Sequence, residues 1–290
     1  MKAIITVGIS ASGKSTWAKE YAKKNKAIIS CRDDLRFSLT GASGWGEYKF
    51  DKKIENTITR LQHDTFGLAQ IYGKDIIVAD TNLNKETREN LHELLYQLKY
   101  DVEILPFPIT LEEAWKRDGL RANGVGRDVI YKQWQQWLEF IGKKQYTPDT
   151  TLPKAVCFDM DGTLAHMVDR KAYDWKKVGT DRVDPIVRGM LWDFRARGYK
   201  IVILSGRDSI CREETYQWII DNGMIYDELL MRQEGDMRKD TVIKEEIFWK
   251  DVSPHYNVEA VVDDRPVVCR MWRDIKIPKV IQVGDPYVEF

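Results

Sequence analysis

The chain has 290 residues, 43% of them apolar, enough to fill two ordinary hydrophobic cores. Its 45 basic and 45 acidic side chains cancel, which excludes a global cationic field for drawing in nucleic acid and leaves any polyanion site to be built locally. Cys31, Cys157, Cys211 and Cys269 are scattered without a C-x-x-C pair, which excludes a disulfide framework and a thiolate metal centre; with no apolar run of membrane-spanning length, a soluble cytoplasmic protein with reduced thiols and no membrane contact is expected.

In chain order, the apolar run Ala3-Ile4-Ile5-Thr6-Val7 reads as a buried strand, and Gly8-Ile9-Ser10-Ala11-Ser12-Gly13-Lys14-Ser15 follows it, ahead of a helix opening at Thr16. Gly-x4-Gly-Lys-Ser between a strand and a helix is a P-loop. Gly8, Ser12, Gly13 and Thr16 belong to a backbone cradle for phosphates, Lys14 reaches the outer phosphates and Ser15 reaches Mg²⁺, so a nucleoside triphosphate is expected there. A second short strand, Ala27 to Ser30, ends at Cys31-Arg32-Asp33-Asp34-Leu35-Arg36. Ligands of open α/β sheets sit beyond the carboxyl ends of strands, so this cluster faces the P-loop crevice. One of Asp33 and Asp34 is expected to cap the next helix, and at least one to act on an acceptor hydroxyl. Ile54, Ile58, Leu61, Thr65 and Leu68 then mark a packing helix. The strand Asp75 to Ala79 ends in Asp80-Thr81-Asn82, polar groups at the same crevice; Asp80 either serves the bound phosphates and their cation or caps the helix starting near Asn84. Val102 to Phe107 is a further strand. Lys116, Arg117, Arg121 and Arg127 occupy a glycine-punctuated stretch where small P-loop kinases carry a lid, against the plainer reading of a solvated basic face. Asp128 to Ile141 closes the first half as an amphipathic helix whose Trp134 and Trp137 are core residues.

Residues 143–153 hold two prolines and no periodicity and read as a linker between domains 1–142 and 154–290. The strand Lys154 to Phe158 ends in Asp159-Met160-Asp161-Gly162-Thr163, the strand Tyr199 to Leu204 in Ser205-Gly206-Arg207, and the strand Val258 to Val262 in Asp263-Asp264-Arg265. A parallel sheet delivers these clusters to one edge, making an acidic pocket that calls for a divalent cation, with Lys244 as a further counter-charge. The chemistry such a pair of carboxylates supports is attack on phosphorus by one, with proton transfer by the other.

Taken together, these motifs resemble the phage-type polynucleotide kinase/3′-phosphatase family over nearly the whole chain. The resemblance implies an α/β protein of two domains, each a mostly parallel sheet flanked by helices: a P-loop kinase, then a haloacid-dehalogenase-like phosphatase. It implies transfer of the γ-phosphate of ATP to 5′-OH ends of RNA or DNA and removal of 3′-phosphates, with Mg²⁺, in functional partnership with a nucleic-acid ligase and as a homotetramer. Carried over by motif, Asp33 is the general base, Arg36 the contact to the substrate phosphate and Arg121 the lid arginine, with Asp80 and Thr81 on the substrate side. In the second domain Asp159 is the nucleophile and Asp161 the general acid/base; Ser205 and Arg207 hold the phosphate, Lys244 serves the transferring group, and Arg170 and Asp240 match further substrate positions. Asp159, Asp161, Asp263 and Asp264 form the metal set. The chain departs from the pattern at Ala11, where a glycine is common, at Ala172, where a proline is common, and in the lid, where Arg117 or Arg127 is an alternative to Arg121. A metabolite kinase fused to a small-molecule phosphatase, and a nucleotide sensor without turnover, are the competing readings.

Overall fold

A computed structural model describes residues 1–171 and 173–287; Ala172 and residues 288–290 lie outside the described residues. The chain divides into two compact units, Met1–Lys143 and Lys144–Phe290. The stretch expected to be the linker contributes a residue to the second unit's core. Tyr146 is buried in the second unit, its backbone N–H donates to the Ile275 carbonyl at 2.7 Å, and its hydroxyl accepts from the Val258 N–H at 2.8 Å. The aromatic body pays no penalty for burial once its hydroxyl is bonded, so the second core begins ahead of Lys154.

In the first unit, β1 (Lys2–Val7), α1 (Lys14–Asn25), β2 (Ile28–Ser30), α2 (Arg32–Thr40), α3 (Lys52–Ile71), β3 (Ile76–Val78), α4 (Lys85–Gln97), β4 (Asp101–Pro106), α5 (Leu111–Gly119) and α6 (Arg127–Phe140) follow one another. The sheet order is β2-β3-β1-β4, and every pairing is parallel. Central strands of such sheets are covered on both faces and read as continuous apolar runs. Accordingly Ala3, Ile5 and Val7 of β1 enter one core with Ile76 and Val78, while Ile77 faces Ala18 and Ala79 on the other side. Trp137 is buried in the first of these cores, and Trp134 packs against it.

The second unit runs β5 (Lys154–Phe158), β6 (Ala165–His166), β7 (Arg182–Val183), α7 (Pro185–Ala196), β8 (Lys200–Asp208), α8 (Arg212–Asp221), β9 (Glu228–Arg232), α9 (Asp240–Ile247), β10 (Asn257–Asp263), α10 (Pro266–Asp274) and β11 (Val280–Gln282). Its five-stranded sheet, β11-β10-β5-β8-β9, is again parallel. Val156 and Phe158 face one core, Ala155 and Cys157 the other, and β8 alternates in the same way. The three strands that the sequence marks as carriers of polar clusters are the adjacent trio β10-β5-β8 at the centre of the sheet. Among the described residues no helix is long and apolar enough to cross a membrane.

Candidate functional site

Each unit gathers chemistry at the carboxyl ends of its parallel strands. In the first, a cavity of about 700 Å³ is lined by residues 10–16 of the P-loop, by Cys31 to Asp33 and Arg36 after β2, by Asp80 and Thr81 after β3, and by Arg117 of α5 and Arg121 just beyond it. That volume suits a drug-sized or nucleotide-sized ligand. The loop is pinned from outside: Gly8 N–H donates to the Thr81 carbonyl at 3.0 Å and Ser10 N–H to Gln133 Oε1 of α6 at 2.7 Å. Gly13 turns the chain into α1 at φ 98°, a left-handed conformation glycine adopts without strain. Ala11 also has positive φ, 64°, which explains physically why a glycine suits this position.

Lys14 is buried, and its ammonium donates to the carbonyls of Gly8 at 2.8 Å and Ile9 at 2.7 Å. Burial pulls its pKa down to about 8, with Asp80 opposing and Arg121 adding to the fall. Ser15 and Thr16, at the start of α1, line the cavity and are exposed.

The aspartates separate by role. Asp33 lines the cavity and accepts from Arg36 Nη1 at 2.6 Å, whereas Asp34 is exposed. Burial raises the Asp33 pKa against the opposing pull of Arg36. The expected side-chain cap from this pair is not made: Cys31 is the N-cap of α2, and Asp80 Oδ1 accepts the Arg32 N–H at 2.7 Å. Asp80 also accepts from Gln62 Nε2 at 2.9 Å, and α4 has its own cap in Asn84, so the alternative of Asp80 as its cap is set aside. The Cys31 thiol is pushed up to about 12 by burial and stays protonated.

Glu55 of α3 is a residue that sequence reasoning missed. It accepts from Arg36 Nε at 2.7 Å, Arg36 Nη2 at 2.8 Å, Arg32 Nη2 at 2.8 Å and the Tyr48 hydroxyl at 2.6 Å. The fork of Arg36 is thereby fixed bidentately, and those bonds hold the Glu55 carboxyl at about 2. Nothing near Glu55 in the sequence marks it; only α3 crossing α2 brings it in.

In the lid, the Asp118 carboxylate accepts the N–H groups of Val125 at 3.1 Å and Gly126 at 2.9 Å, closing the loop onto the start of α6. Arg117 pairs with Glu113 at 2.7 Å, while Arg121 is 3.8 Å from Asp118 and its charge reaches Lys14. Arg127 instead lies over the Trp115 ring, 5.5 Å from its centroid, and is not among the cavity-lining residues.

In the second unit, Asp159, Asp263 and Asp264 bring carboxylate oxygens within 4.8 Å of one another. Lys244 of α9 is buried among them: its ammonium lies 2.7 Å from Asp159 Oδ1, 2.9 Å from Asp263 Oδ2 and 3.5 Å from Asp240 Oδ2. Burial alone would push this lysine down, but the three carboxylates hold it well above its ordinary value. Burial, then Asp263 and Asp264, raise Asp159 well above the usual carboxylate range against the pull of Lys244. Burial and the charge of Asp263 also raise Asp264. Such crowding of hard oxygen donors fits a divalent cation of the Mg²⁺ type. Gly162, at φ 84°, permits the approach: a Cβ there would run into the Asp264 carboxylate. Thr163 Oγ1 donates to Asp264 Oδ1 at 3.2 Å.

Asp161, Arg170, Ser205 and Arg207 form a network of their own with Asp181. The Asp161 side chain is not in the carboxylate cluster among the described residues. Its oxygens accept from Arg170 Nη2 at 2.7 Å and from Arg207 Nε at 2.9 Å and Nη2 at 2.8 Å. Arg207, expected on the phosphate, is fully buried, and its Nη2 also donates to Asp181 at 2.6 Å; Ser205 is buried too, its hydroxyl accepting the Arg207 N–H at 3.1 Å. Arg170, expected on the substrate, has no exposed side-chain surface and donates twice to Asp181, at 2.7 and 2.6 Å. A desolvated guanidinium needs carboxylates on its donors, and Asp181, another residue missed in the sequence, supplies them. Asp240 likewise is nearly buried, bridging Lys244, Arg232 and Arg265, and burial is overcome by these cations to lower its pKa.

Comparison with known proteins agrees with this division. Residues 4–142 match the family model described as "AAA domain", and residues 153–286 the model described as "Polynucleotide kinase PNKP phosphatase domain". A relative from Autographa californica nuclear polyhedrosis virus, described as "Putative bifunctional polynucleotide kinase/RNA ligase", is 33% identical over 99% of this chain, which spans 43% of that protein. A chain in the structure of the Pnkp1/Rnl/Hen1 RNA repair complex is 28% identical, with 99% of this chain and 97% of that one covered and a TM-score of 0.48. A second structure of the Pnkp1/Rnl/Hen1 complex gives 30% identity, 98% and 97% coverage, and a TM-score of 0.47. Along the chain, then, a P-loop unit similar to the AAA family is followed by a unit similar to polynucleotide kinase phosphatase domains.

Proposed function

We propose that the chain is a bifunctional end-healing enzyme, moving the γ-phosphate of ATP to a 5′-OH of RNA or DNA and hydrolysing 3′-phosphate ends. The observation that carries the reading is that Lys14, Asp33 and Arg121 line one cavity, putting a phosphate-binding lysine, a carboxylate and a lid cation around the space a transferring phosphoryl group needs. Asp33 takes the proton of the acceptor hydroxyl as its oxygen attacks the γ-phosphorus. Lys14 and Arg121 offset the charge carried to the leaving diphosphate. Arg36, oriented by Glu55, holds the phosphate that follows the terminal nucleoside.

In the phosphatase unit, an Asp159 oxygen attacks the 3′-phosphorus while the leaving 3′-oxygen takes a proton from Asp161. The resulting aspartyl-phosphate is hydrolysed by water that returns its proton to Asp161. Asp159, Asp263 and Asp264 are the groups that would hold Mg²⁺, which would supply positive charge for the incoming phosphate. Arg170 and Arg207 hold the Asp161 carboxyl in place. Lys244 is the fixed counter-charge beside the nucleophile. The products, 5′-phosphate and 3′-OH ends, are what a nucleic-acid ligase consumes, which accords with the name of the viral relative.

Two parallel reactions test this. Wild-type protein with Mg²⁺ and ATP is given a 5′-OH oligonucleotide, and with Mg²⁺ alone a 3′-phosphorylated one, each as RNA and as DNA. Label transfer in the first and phosphate release in the second are expected. ATP binding with silence on every oligonucleotide would replace this reading with a small-metabolite acceptor.

A further inference from the structure

The cavity of the first unit has one wall that neither phosphate chemistry nor general-base chemistry uses. Trp45 lies in the loop between α2 and α3, half-buried, and lines the cavity alongside Asp33 and Arg36. An indole left partly open to a polar, phosphate-directed cavity forfeits apolar burial unless something flat covers it. Its orientation is held on several sides. Phe37 and Tyr48 meet it edgewise, with ring centroids at 5.5 and 5.9 Å, and the Arg36 guanidinium carbon lies 5.8 Å from its centroid. Tyr48 is in turn bonded to Glu55. The loop itself is tied to the lid, because Asn123 Nδ2 donates to the Ser43 carbonyl at 3.1 Å. A fixed, partly open aromatic beside the residue that receives the acceptor hydroxyl is the arrangement used to stack a nucleobase.

We propose that Trp45 is the stacking platform for the base of the 5′-terminal nucleoside of the acceptor. The inference rests on the polynucleotide-kinase reading and deepens it by naming how the acceptor end is held. The location separates acceptor from donor: Trp45 touches Arg36 and the α2 side of the cavity, where Asp33 stands. Stacking accepts every base because every base has a π-face, so the platform discriminates between ends that carry a terminal base and ends that do not, and hardly among the bases themselves. The indole also has a role in the local aromatic cluster, which makes a discrimination readout preferable to a simple loss of activity.

The test compares wild type, Trp45→Ala and Trp45→Phe on two oligonucleotides that differ only in a normal or an abasic 5′-terminal nucleotide. Wild type should prefer the base-bearing end by about 5- to 100-fold in kcat/KM. Trp45→Ala should bring that ratio near one by weakening only the base-bearing end, Trp45→Phe should keep most of it, and KM for ATP should not move. A preference that survives Trp45→Ala, a loss equal for both ends, or a raised KM for ATP overturns the platform. Fluorescence anisotropy of the same oligonucleotides reads the discrimination without turnover. Protein that binds base-bearing ends better, in a Trp45-dependent way, yet transfers no phosphate keeps the platform and overturns the reaction; protein that binds neither end overturns the platform.

Discussion

Lys14 shows how a single residue sets a condition on the first unit. Buried before any phosphate arrives, its ammonium donates to the carbonyls of its own loop and to the hydroxyl of Ser12, and its pKa falls to about 8 rather than 10.5. A lowered lysine pKa means the amine is neutral above about pH 8, and a neutral amine does not attract phosphate. The kcat/KM for ATP, which reports the free enzyme, is therefore expected to fall as pH rises through about 8, while kcat at saturating ATP holds to higher pH because bound phosphate restores the charge. A kcat/KM profile flat to pH 10 would mean that Lys14 stays charged without its ligand. Ala11 offers a second expectation. Its φ of 64° costs an L-residue about 1–2 kcal/mol, of which about 0.5–1 is returned by the lower entropy of alanine in the unfolded chain. Ala11→Gly should raise the unfolding free energy of the first unit by about 0.5–1 kcal/mol in urea titrations, and a fall instead would mean that the methyl makes a compensating contact.

At the scale of elements, the crossing of α2 by α3 and the approach of two loops in the second unit carry most of what the motifs omit. Glu55 joins Arg32, Arg36 and Tyr48 across that crossing. Its carboxyl is held at about 2 against an ordinary 4.5, so the stability it contributes is present above pH 4.5 and is lost as pH falls toward 2. Glu55→Ala should lower stability at neutral pH by about 1–3 kcal/mol and flatten thermal melts recorded between pH 4.5 and 2; it should also raise KM for the oligonucleotide more than for ATP, because Arg36 loses its bidentate partner and keeps only Asp33 among the described contacts. In the second unit, Gly162→Ala places a methyl against Asp264 at a left-handed φ, so phosphatase activity should disappear while the kinase survives; normal phosphate release by that variant would refute the close approach. The P-loop, Asp33, Asp159 and Lys244 were legible because motifs keep their parts adjacent or tie them to strand ends. Glu55, Gln133, Asp181 and Trp45 were not, since each is an ordinary residue in its own segment and gains meaning only from a contact many residues away. The same distance hides a partner of Arg207 and Arg170: their motif neighbours are legible, but Asp181, to which both donate, is not.

For the whole molecule, the fold class was readable because parallel strands buried on both faces leave continuous apolar runs, and both units repeat that signal. The exposed edge strand β4 and the short strands β6, β7 and β11 leave a weaker pattern, and of these only β4 was anticipated. Each unit has its own cores, with no buried residue of one contributing to a described cluster of the other, so the two chemistries should be separable. Removing a positioned general base costs on the order of 10²–10⁴-fold, and removing a nucleophile leaves no covalent route. Asp33→Ala should therefore abolish measurable 5′ phosphorylation while leaving 3′-phosphate release within about twofold of wild type, and Asp159→Ala should do the reverse, as expected for substitutions without shared partners. Both variants should melt as wild type does apart from small local shifts. If either folded variant lost both activities, the two units would be working through one shared site, and the assignment of a separate base and nucleophile would have to be abandoned; intact reciprocal activities would instead make each variant a clean reagent for healing one end of a break at a time.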